Sequence, residues 1–241
     1  MNSTPMSFHQ RVSHALADGQ LRVALDRTTE RFTLNRVAGL ASLPDADAGR
    51  DRARSIRLHT LSRLDEYLEQ FEANVTSVGG QVHWASDAQE ANEIVLDLAR
   101  SRSVKRVVKS KSMVSEEIEL NQALISGGVD VVESDLGEYI IQLAGETPSH
   151  IIAPAVHKTR EQIGQLLADK LGVPMTDDPV EMTATARSAL REVFLQSEMG
   201  LSGVNFGVAS TGSLAIVTNE GNASLTVTAP RIHVAMMGIE R

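Results

Sequence analysis

The apolar residues of the first 78 positions recur every three to five residues, which is the spacing of one face of a helix. Residues 7–41 carry one such pattern, and residues 45–78 carry a second, longer one that ends at a pair of glycines. The sequence therefore predicts that residues 1–78 form an N-terminal helical segment, which we call the helical arm.

Beyond residue 80 the pattern changes, because short runs rich in β-branched residues alternate with helical spacings. Strands are predicted at 81–84, 106–109, 129–133 and 151–154, and helices at 88–100, 115–126, 158–171 and 180–197. Such alternation is typical of a largely parallel sheet that helices cover on both faces. We therefore expect residues 79–241 to form a three-layer α/β/α domain.

The C-terminal residues follow a third pattern, in which short apolar runs are separated by Gly, Asn and Thr. These runs predict closely spaced strands at 203–209, 213–218, 224–228 and 232–237. We expect them to form a β-rich section that closes the sheet.

Charge and cysteine content narrow the possible functions. The 23 basic and 31 acidic residues give a net charge of −8, which argues against a nucleic-acid-binding groove. The sequence has no cysteine, so this chain itself holds no disulfide, cysteine nucleophile, thiolate-bound zinc or iron–sulfur cluster. Because no apolar run is long enough to span a bilayer and no signal-peptide pattern is present, we expect no membrane span and a cytoplasmic location.

The charge is unevenly distributed along the chain. Residues 1–60 contain nine Arg, no Lys and six acidic residues, for a net charge of +3, whereas the remainder carries −11. The helical arm is either a solvated surface or a segment that docks on a partner, and the sequence leaves both interpretations open.

Polar side chains follow the strand predicted at 106–109. Lys109, Ser110 and Lys111 stand just before a predicted helix, where ammonium and hydroxyl groups suit a carboxylate or phosphate ligand. An ordinary polar loop, with Ser115 as the helix cap, also explains these residues.

The next two predicted strands also end in polar residues. Burial of Glu133, Asp135 or Glu138 would raise the pKa of that carboxyl toward the range of a general acid or base, although an exposed acidic turn is the alternative. Glu138 stands where the chain re-enters the core. His157 is either a proton shuttle or a structural residue. His150 and His233 have no carboxylate at metal-ligand spacing, so the sequence supports no histidine-based metal site.

Glycine-rich turns near the C-terminus offer backbone N–H groups beside small side chains. They match neither a Walker loop nor a dinucleotide fingerprint, and tight hairpins are the alternative explanation. Because the ends of parallel strands share one edge of a sheet, we expect Glu133, Glu138 and His157 to act there as catalytic residues. The expected ligand-binding residues are Lys109, Ser110, Lys111, Asp135, Thr211, Gly212, Asn219, Glu220, Gly221 and Asn222.

The chain resembles the iron–sulfur subunits of bacterial lactate-utilization systems, which contain a lactate-utilization (LUD) domain. Four stretches carry the resemblance: KSKSMVSEEIELNQAL, VVESDLGEYIIQLAGETPSHIIAPAVHKTREQI, GVNFGVASTGSLAIVTNEGN and PRIHVAMMGIER. The resemblance runs from the N-terminal helices to the last residue. It implies the fold class of ribose-5-phosphate isomerases and coenzyme A transferases.

The resemblance also implies a three-part complex that oxidises L-lactate to pyruvate and passes electrons through 4Fe–4S clusters. Family members continue beyond the equivalent of Arg241 into a cysteine-rich, ferredoxin-like region, so we expect this chain to be a fragment or a shortened relative without complete redox activity.

Two alternatives remain open: a separate isomerase, transferase or hydrolase in which Glu138 or Glu133 acts on a sugar phosphate or acyl-CoA, and a non-catalytic scaffold for partner subunits. A homo-oligomer is compatible with each of them.

Overall fold

The computed structural model describes residues 6–149, 153–218 and 220–241. The helical arm consists of α1 (Phe8–Ala17), α2 (Gly19–Ala41), α3 (Ala46–Leu61) and α4 (Leu64–Ser77). The side chains of Ser7, Asp18 and Asp45 cap the first three helices by accepting hydrogen bonds from backbone N–H groups. Within residues 8–61, all of which the structure describes, no helical side chain is buried. The prediction of an N-terminal helical segment is confirmed for the described residues 8–77, and the domain boundary at residue 78 stays a prediction.

The rest of the chain alternates helices and strands. Its elements are α5 (Ala88–Ser101), β1 (Arg106–Lys109), α6 (Met113–Glu117), α7 (Leu120–Ser126), β2 (Asp130–Glu133), α8 (Leu136–Ala144), α9 (Arg160–Leu171), α10 (Pro179–Gln196), β3 (Met199–Gly203), β4 (Phe206–Val208), β5 (Ser213–Ala215), α11 (Asn222–Thr228) and β6 (Ile232–Met236). One four-stranded parallel sheet has the order β2-β1-β3-β6. Strands β4 and β5 form a separate antiparallel pair.

Two apolar clusters show that helices cover both faces of this sheet. On one face, Val107 of β1 packs in a cluster with residues of α5 and α7. The next residue, Val108, packs in the second cluster with Tyr139 of α8 and Phe194 of α10. Successive residues of a strand point to opposite faces. The predicted three-layer α/β/α architecture with a parallel sheet is therefore confirmed.

Several predicted elements differ from those in the structure. Residues 81–84 form no strand, and the predicted helix 115–126 is divided into α6 and α7. Residues 150–152 lie outside the described ranges, while Ala153 and Pro154 belong to no strand. The central strand β3 begins at Met199, before the predicted run 203–209, and α8 was not predicted.

The strand predicted at 224–228 is wrong, because these residues belong to α11. Two threonines there direct their hydroxyls back to the helix itself: Thr226 donates to the carbonyl of Asn222, and Thr228 donates to that of Ser224. The helix packs closely on β3, where a Cβ at Gly200 would collide with the carbonyl oxygen of Thr226. Close helix–sheet packing at a glycine thus prevails over the strand preference of Thr and Val.

Candidate functional site

A buried ion pair joins the carboxyl ends of β1 and β2. Lys109 and Glu133 are directly opposite each other in the parallel register. Lys109 Nζ lies 2.6 Å from Glu133 Oε1, with the side chains 0% and 7% exposed. Charges are removed from water only when they are paired and hydrogen-bonded. The pair therefore fixes a charged group at the edge of the sheet where α/β proteins bind ligands.

Two amide side chains complete the surroundings of Glu133. Asn121 of α7 donates from Nδ2 to Glu133 Oε1 at 2.7 Å. Gln142 of α8 accepts from the backbone N–H of Glu133 at 3.0 Å and donates to the carbonyl of Val131 at 2.7 Å. Since β2 is an edge strand, Gln142 bonds backbone groups that a further strand would otherwise pair. Helix α8 is thereby held beside β2.

The loop after β1 brings a second ammonium group to this edge. The backbone N–H of buried Ser110 donates to the carbonyl of Leu201 in β3, and Ser112 caps α6 through Ser115 N–H. Lys111 Nζ lies 3.4 Å from Oε1 of Glu138, a buried residue in the first turn of α8. Lys111 is 36% exposed, so its ammonium group remains accessible to solvent.

Glu116 of α6 is the carboxyl whose protonation is most perturbed here. Burial raises its pKa to about 7, and the negative charges of Glu138 and Glu133 add to this effect. The positive charges of Lys109 and Lys111 oppose it. Near neutral pH, Glu116 therefore exchanges between a protonated acid and a carboxylate, as a general acid or base requires.

A cleft of about 420 Å³ lies between α6, α7 and α8, beside Lys109 and Lys111. Its walls include Glu116, Glu133 and Glu138 together with the amides of Asn121 and Gln142, and apolar groups complete the lining. The volume suits a small ligand. The cleft thus combines an acid with a raised pKa, buried carboxylates and two neighbouring ammonium groups.

A second group of predicted residues caps helices beside the cleft. Asp135 is the N-cap of α8, and its Oδ1 accepts from the N–H groups of Gly137 and Glu138. Glu220 accepts from Leu136 N–H at 3.2 Å, and its pKa is raised, mainly by burial. These hydrogen bonds are structural, since each of them ties together backbone segments.

Two further residues of that group stand where α11 begins. Gly221 precedes the helix with a φ of +77°, and Asn222 donates to Ser134 Oγ at 3.3 Å. Asn219, another predicted ligand residue, lies outside the described residues.

His157 interacts at the rim of the cleft. Its Nε2 lies 2.7 Å from Oε2 of Glu146, a cleft-lining residue, and its Nδ1 lies 3.3 Å from Ser149 Oγ. Lys158 also donates to Glu146, at 2.7 Å, and these two bonds lower the pKa of Glu146. Glu146 therefore separates His157 from the lining of the cleft.

Gly212 approaches the helical arm, whereas Thr211 bonds within its own turn. Gly212 has a φ of +70°, and a Cβ there would lie 2.6 Å from the backbone nitrogen of Val75 in α4. Asn74 of the same helix donates to the carbonyl of Ala209 at 2.7 Å. Thr211 bonds within its own turn, to Ser213. Their observed contacts are thus with α4 and the turn itself.

The structure brings together four predicted residues, Lys109, Lys111, Glu133 and Glu138, and adds three that sequence reasoning missed. Those three are Glu116, Asn121 and Gln142. Glu116 and Asn121 occurred in the predicted helix 115–126, but a residue in a helical pattern carries no signal of which cleft it faces. Only Glu116 offered a hint, because it lies seven residues after the strand-end Lys109, in the first turn of the helix that follows, and so stands near the same sheet edge.

The described residues contain neither a candidate metal cluster nor a helix that could span a membrane. Within residues 6–149, 153–218 and 220–241, no group of three or more His, Asp or Glu is placed to hold a metal ion. In the same ranges, no helix has both the length and the apolar content to cross a membrane.

Known proteins resemble this chain over its whole length. The model of the LUD domain matches residues 68–241. Lactate utilization protein B of Bacillus thuringiensis (strain Al Hakam), Bacillus cereus (strain B4264) and Bacillus anthracis (strain CDC 684 / NRRL 3495) is in each case 46% identical over 241 residues. The match covers 100% of this chain and 51% of each relative, so the chain spans about half of their length. No solved structure matches. The chain belongs to the LUD-domain family.

Proposed function

We propose that this chain supplies the LUD domain of a lactate-utilization system, and that the cleft between α6, α7 and α8 binds a small carboxylate of that system. The relatives support the role, because proteins named lactate utilization protein B match the whole chain. One observation carries the site: the buried Lys109–Glu133 pair lies at the carboxyl ends of two adjacent parallel strands and Glu133 lines the cleft.

The two lysines have different roles in this proposal. Lys109 is fully buried and hydrogen-bonded to Glu133, so it positions that carboxylate. Lys111 has a longer contact with Glu138 and is partly exposed, so it can turn toward an anion. Lys111 therefore binds the carboxylate of the ligand.

Glu116 and Glu138 transfer the proton. Oxidation of a 2-hydroxy acid to a 2-keto acid releases the hydroxyl proton as the carbonyl forms. Glu138, which lies beside Lys111, and Glu116, which has a pKa of about 7, carry this proton out of the cleft to solvent near neutral pH. The C2–H bond breaks at the same time, and its hydrogen and both bonding electrons pass as a hydride equivalent to an acceptor held outside this chain.

Iron–sulfur clusters do not fit the residues of this chain. The sequence contains no cysteine, and the described residues contain no group of carboxylates and histidines placed to hold a metal. We therefore assign the clusters of the proposed system to other polypeptide segments, and the partners of this domain to the subunits that carry them.

A thermal-shift screen of the whole chain tests the ligand class. L-Lactate and pyruvate should raise the melting temperature, whereas sugar phosphates and coenzyme A should not. Glu116→Gln should weaken the pH dependence of the shift, and Glu117→Gln, an exposed neighbour on the same helix, is the matched control. The absence of any shift would favour a scaffold without a small-molecule site.

Growth of the source organism tests the role. Deletion of the coding sequence should abolish growth on L-lactate and leave growth on glucose unchanged, and the wild-type gene should restore it. Glu138→Gln should fail to restore growth although the protein accumulates normally. Normal growth of the deletion strain on lactate would contradict the proposed role.

The pair Glu116 and Glu138 also favours a second candidate function, which is acid–base isomerisation or transfer on a sugar phosphate or thioester. A carboxyl with a raised pKa beside another carboxylate is the arrangement that such proton transfers use. A thermal shift with a sugar phosphate or coenzyme A, and none with lactate or pyruvate, would select this function.

A further inference from the structure

Two buried oxygen atoms in the wall of the cleft lack hydrogen-bond donors. Glu133 Oε2 and Asn121 Oδ1 are buried, and neither accepts a hydrogen bond from any residue in the described ranges. Glu133 is only 5% exposed, and both residues line the cleft. A buried acceptor without a donor destabilises the protein, because it has lost its hydrogen bonds to water. The wall is therefore complementary to a ligand that donates a hydrogen bond.

The neighbouring contacts fix the orientation of both acceptors. Glu133 Oε1 already accepts from Lys109 Nζ and Asn121 Nδ2, so Oε2 is the oxygen left for a ligand. Rotation of the Asn121 amide by half a turn would place its oxygen against the Glu133 carboxylate, and the two would repel each other. Oε2 and Oδ1 are therefore the two oxygens of this hydrogen-bonded pair that remain for a ligand.

The balance of charge favours a neutral donor over an ammonium group. Lys109 pairs with Glu133, and Lys111 lies beside Glu138. Glu116 adds little negative charge below its pKa of about 7. Glu119 also lines the cleft, but it is exposed, so solvent screens its charge. The immediate surroundings of the two acceptors are then close to neutral, which suits a hydroxyl group.

We propose that Glu133 Oε2 and Asn121 Oδ1 share the single hydrogen of the 2-hydroxyl of a small 2-hydroxy acid in a bifurcated hydrogen bond, so that the cleft selects the hydroxy acid over the matching 2-keto acid. This inference rests on the proposed function, because that function supplies the carboxylate ligand. A ketone oxygen only accepts hydrogen bonds and would face two acceptors. A site built to bind a hydroxyl rejects an analogue without one, because its buried polar groups are then left unpaired.

Calorimetric titration of the whole chain with four probes of similar size tests this selectivity. At C2, L-lactate carries a hydroxyl, pyruvate a ketone and L-alanine an ammonium group, whereas propionate carries none of these groups. We expect L-lactate to bind at least about tenfold more tightly than pyruvate and propionate, as the loss of a hydrogen bond to a charged group predicts. L-Alanine should also bind more weakly than L-lactate.

Two substitutions locate the selectivity. Asn121→Leu removes one acceptor and keeps the Lys109–Glu133 pair, so the preference for L-lactate should fall to within about threefold of pyruvate. Glu133→Gln places an amide N–H group where Oε2 stands, so the preference should shift toward pyruvate. Asn92→Leu is the matched control: Asn92 Oδ1 also lacks a donor among the described residues but lies outside the cleft lining, and the preference should persist.

The outcomes separate this inference from the proposed function. Equal affinity for L-lactate and pyruvate would overturn the inference and leave the proposed function standing. If neither L-lactate nor pyruvate binds, the inference and the proposed function are both overturned. If L-alanine binds more tightly than L-lactate, the site prefers an ammonium group to a hydroxyl, and the inference is overturned. If Glu133→Gln fails to fold, Asn121→Leu decides, since a retained preference in that variant contradicts the inference.

Discussion

Replacement of Lys109 by Met tests whether the buried ion pair holds β1 to β2 beside the cleft. The Lys109 side chain is 0% exposed and lies 2.6 Å from Glu133, and Met fills much of the same space without a charge. Among the described residues, Asn121 then remains as the side-chain donor to the Glu133 carboxylate. Loss of one partner from a buried pair leaves an uncompensated charge, which typically costs about 3–5 kcal/mol.

The same strand pair provides a matched control. Arg106 and Asp130 stand opposite each other at the other end of β1 and β2, 2.7 Å apart, with side chains 36% and 53% exposed. Water screens such a pair, so Arg106→Met should cost only about 0.2–1 kcal/mol. For a chain of this size, the loss at Lys109 should lower the melting temperature by about 6–20 °C.

Urea unfolding followed by far-UV circular dichroism measures both changes. Lys109→Met, Glu133→Gln and the double variant complete a cycle, and the double variant should be more stable than Lys109→Met, since no buried charge remains unpaired. The reasoning would be refuted if Lys109→Met and Arg106→Met lost equal stability. It would also be refuted if the double variant lost the sum of the two single changes.

Three further predictions concern single residues. Burial raises the folded-state pKa of Glu116 from 4.5 to about 7, so the wild type should lose stability relative to Glu116→Gln as the pH rises through this range. Urea midpoints of the two proteins that change in the same way from pH 4.5 to 8 would contradict this. Burial lowers the pKa of His233, which forms a hydrogen bond with Ser202 at 2.8 Å. The wild type should therefore lose stability relative to His233→Gln as the pH falls below about 6.5. A difference in melting temperature between the two proteins that is the same at pH 5 and pH 7.5 would contradict this. Gly200→Ala should destabilise the protein by about 1–3 kcal/mol, because the new methyl group meets the Thr226 carbonyl. Gly39→Ala, in an open part of α2, should stabilise it by about 0.5–1 kcal/mol. Urea unfolding measures both changes, and a gain of stability in both variants would contradict the packing at Gly200.

The central part of the fold could be predicted because its signals are local. Strand β1 and strand β2 are short valine-containing runs between helical patterns. Strand β1 is buried on both faces after its first residue, and strand β2 is buried at Val131 and Glu133. Their parallel pairing brings Lys109 and Glu133 into register, so two of the predicted site residues could be placed from strand ends alone.

The cleft itself depends on contacts that no local pattern encodes. The predicted helix 115–126 is interrupted at Glu119, which adopts a left-handed φ of +54°, and this break sets the directions of Glu116 and Asn121. A continuous amphipathic helix fits the same sequence, so periodicity could not reveal the break. The tertiary packing of α6 and α7 therefore decides which polar residues face Glu133.

The contacts of the glycine-rich turns could not be predicted from the sequence either. Their small residues permit close approach, but the sequence does not say to what. Gly212 approaches α4, and Gly221 begins α11, although both were expected beside a ligand. The need for close packing and the need for a ligand cradle select the same residue type, so composition alone cannot distinguish them.

The Gln142 amide has a consequence for the behaviour of the protein in concentrated solution. An uncovered edge strand offers its backbone to the edge of another molecule and can nucleate aggregation. One side chain on α8 blocks that growth by bonding to Val131 and Glu133 as a neighbouring strand would. Gln142→Leu would leave the Val131 carbonyl and the Glu133 N–H group without this partner. We therefore expect this variant to self-associate through β2 rather than to unfold.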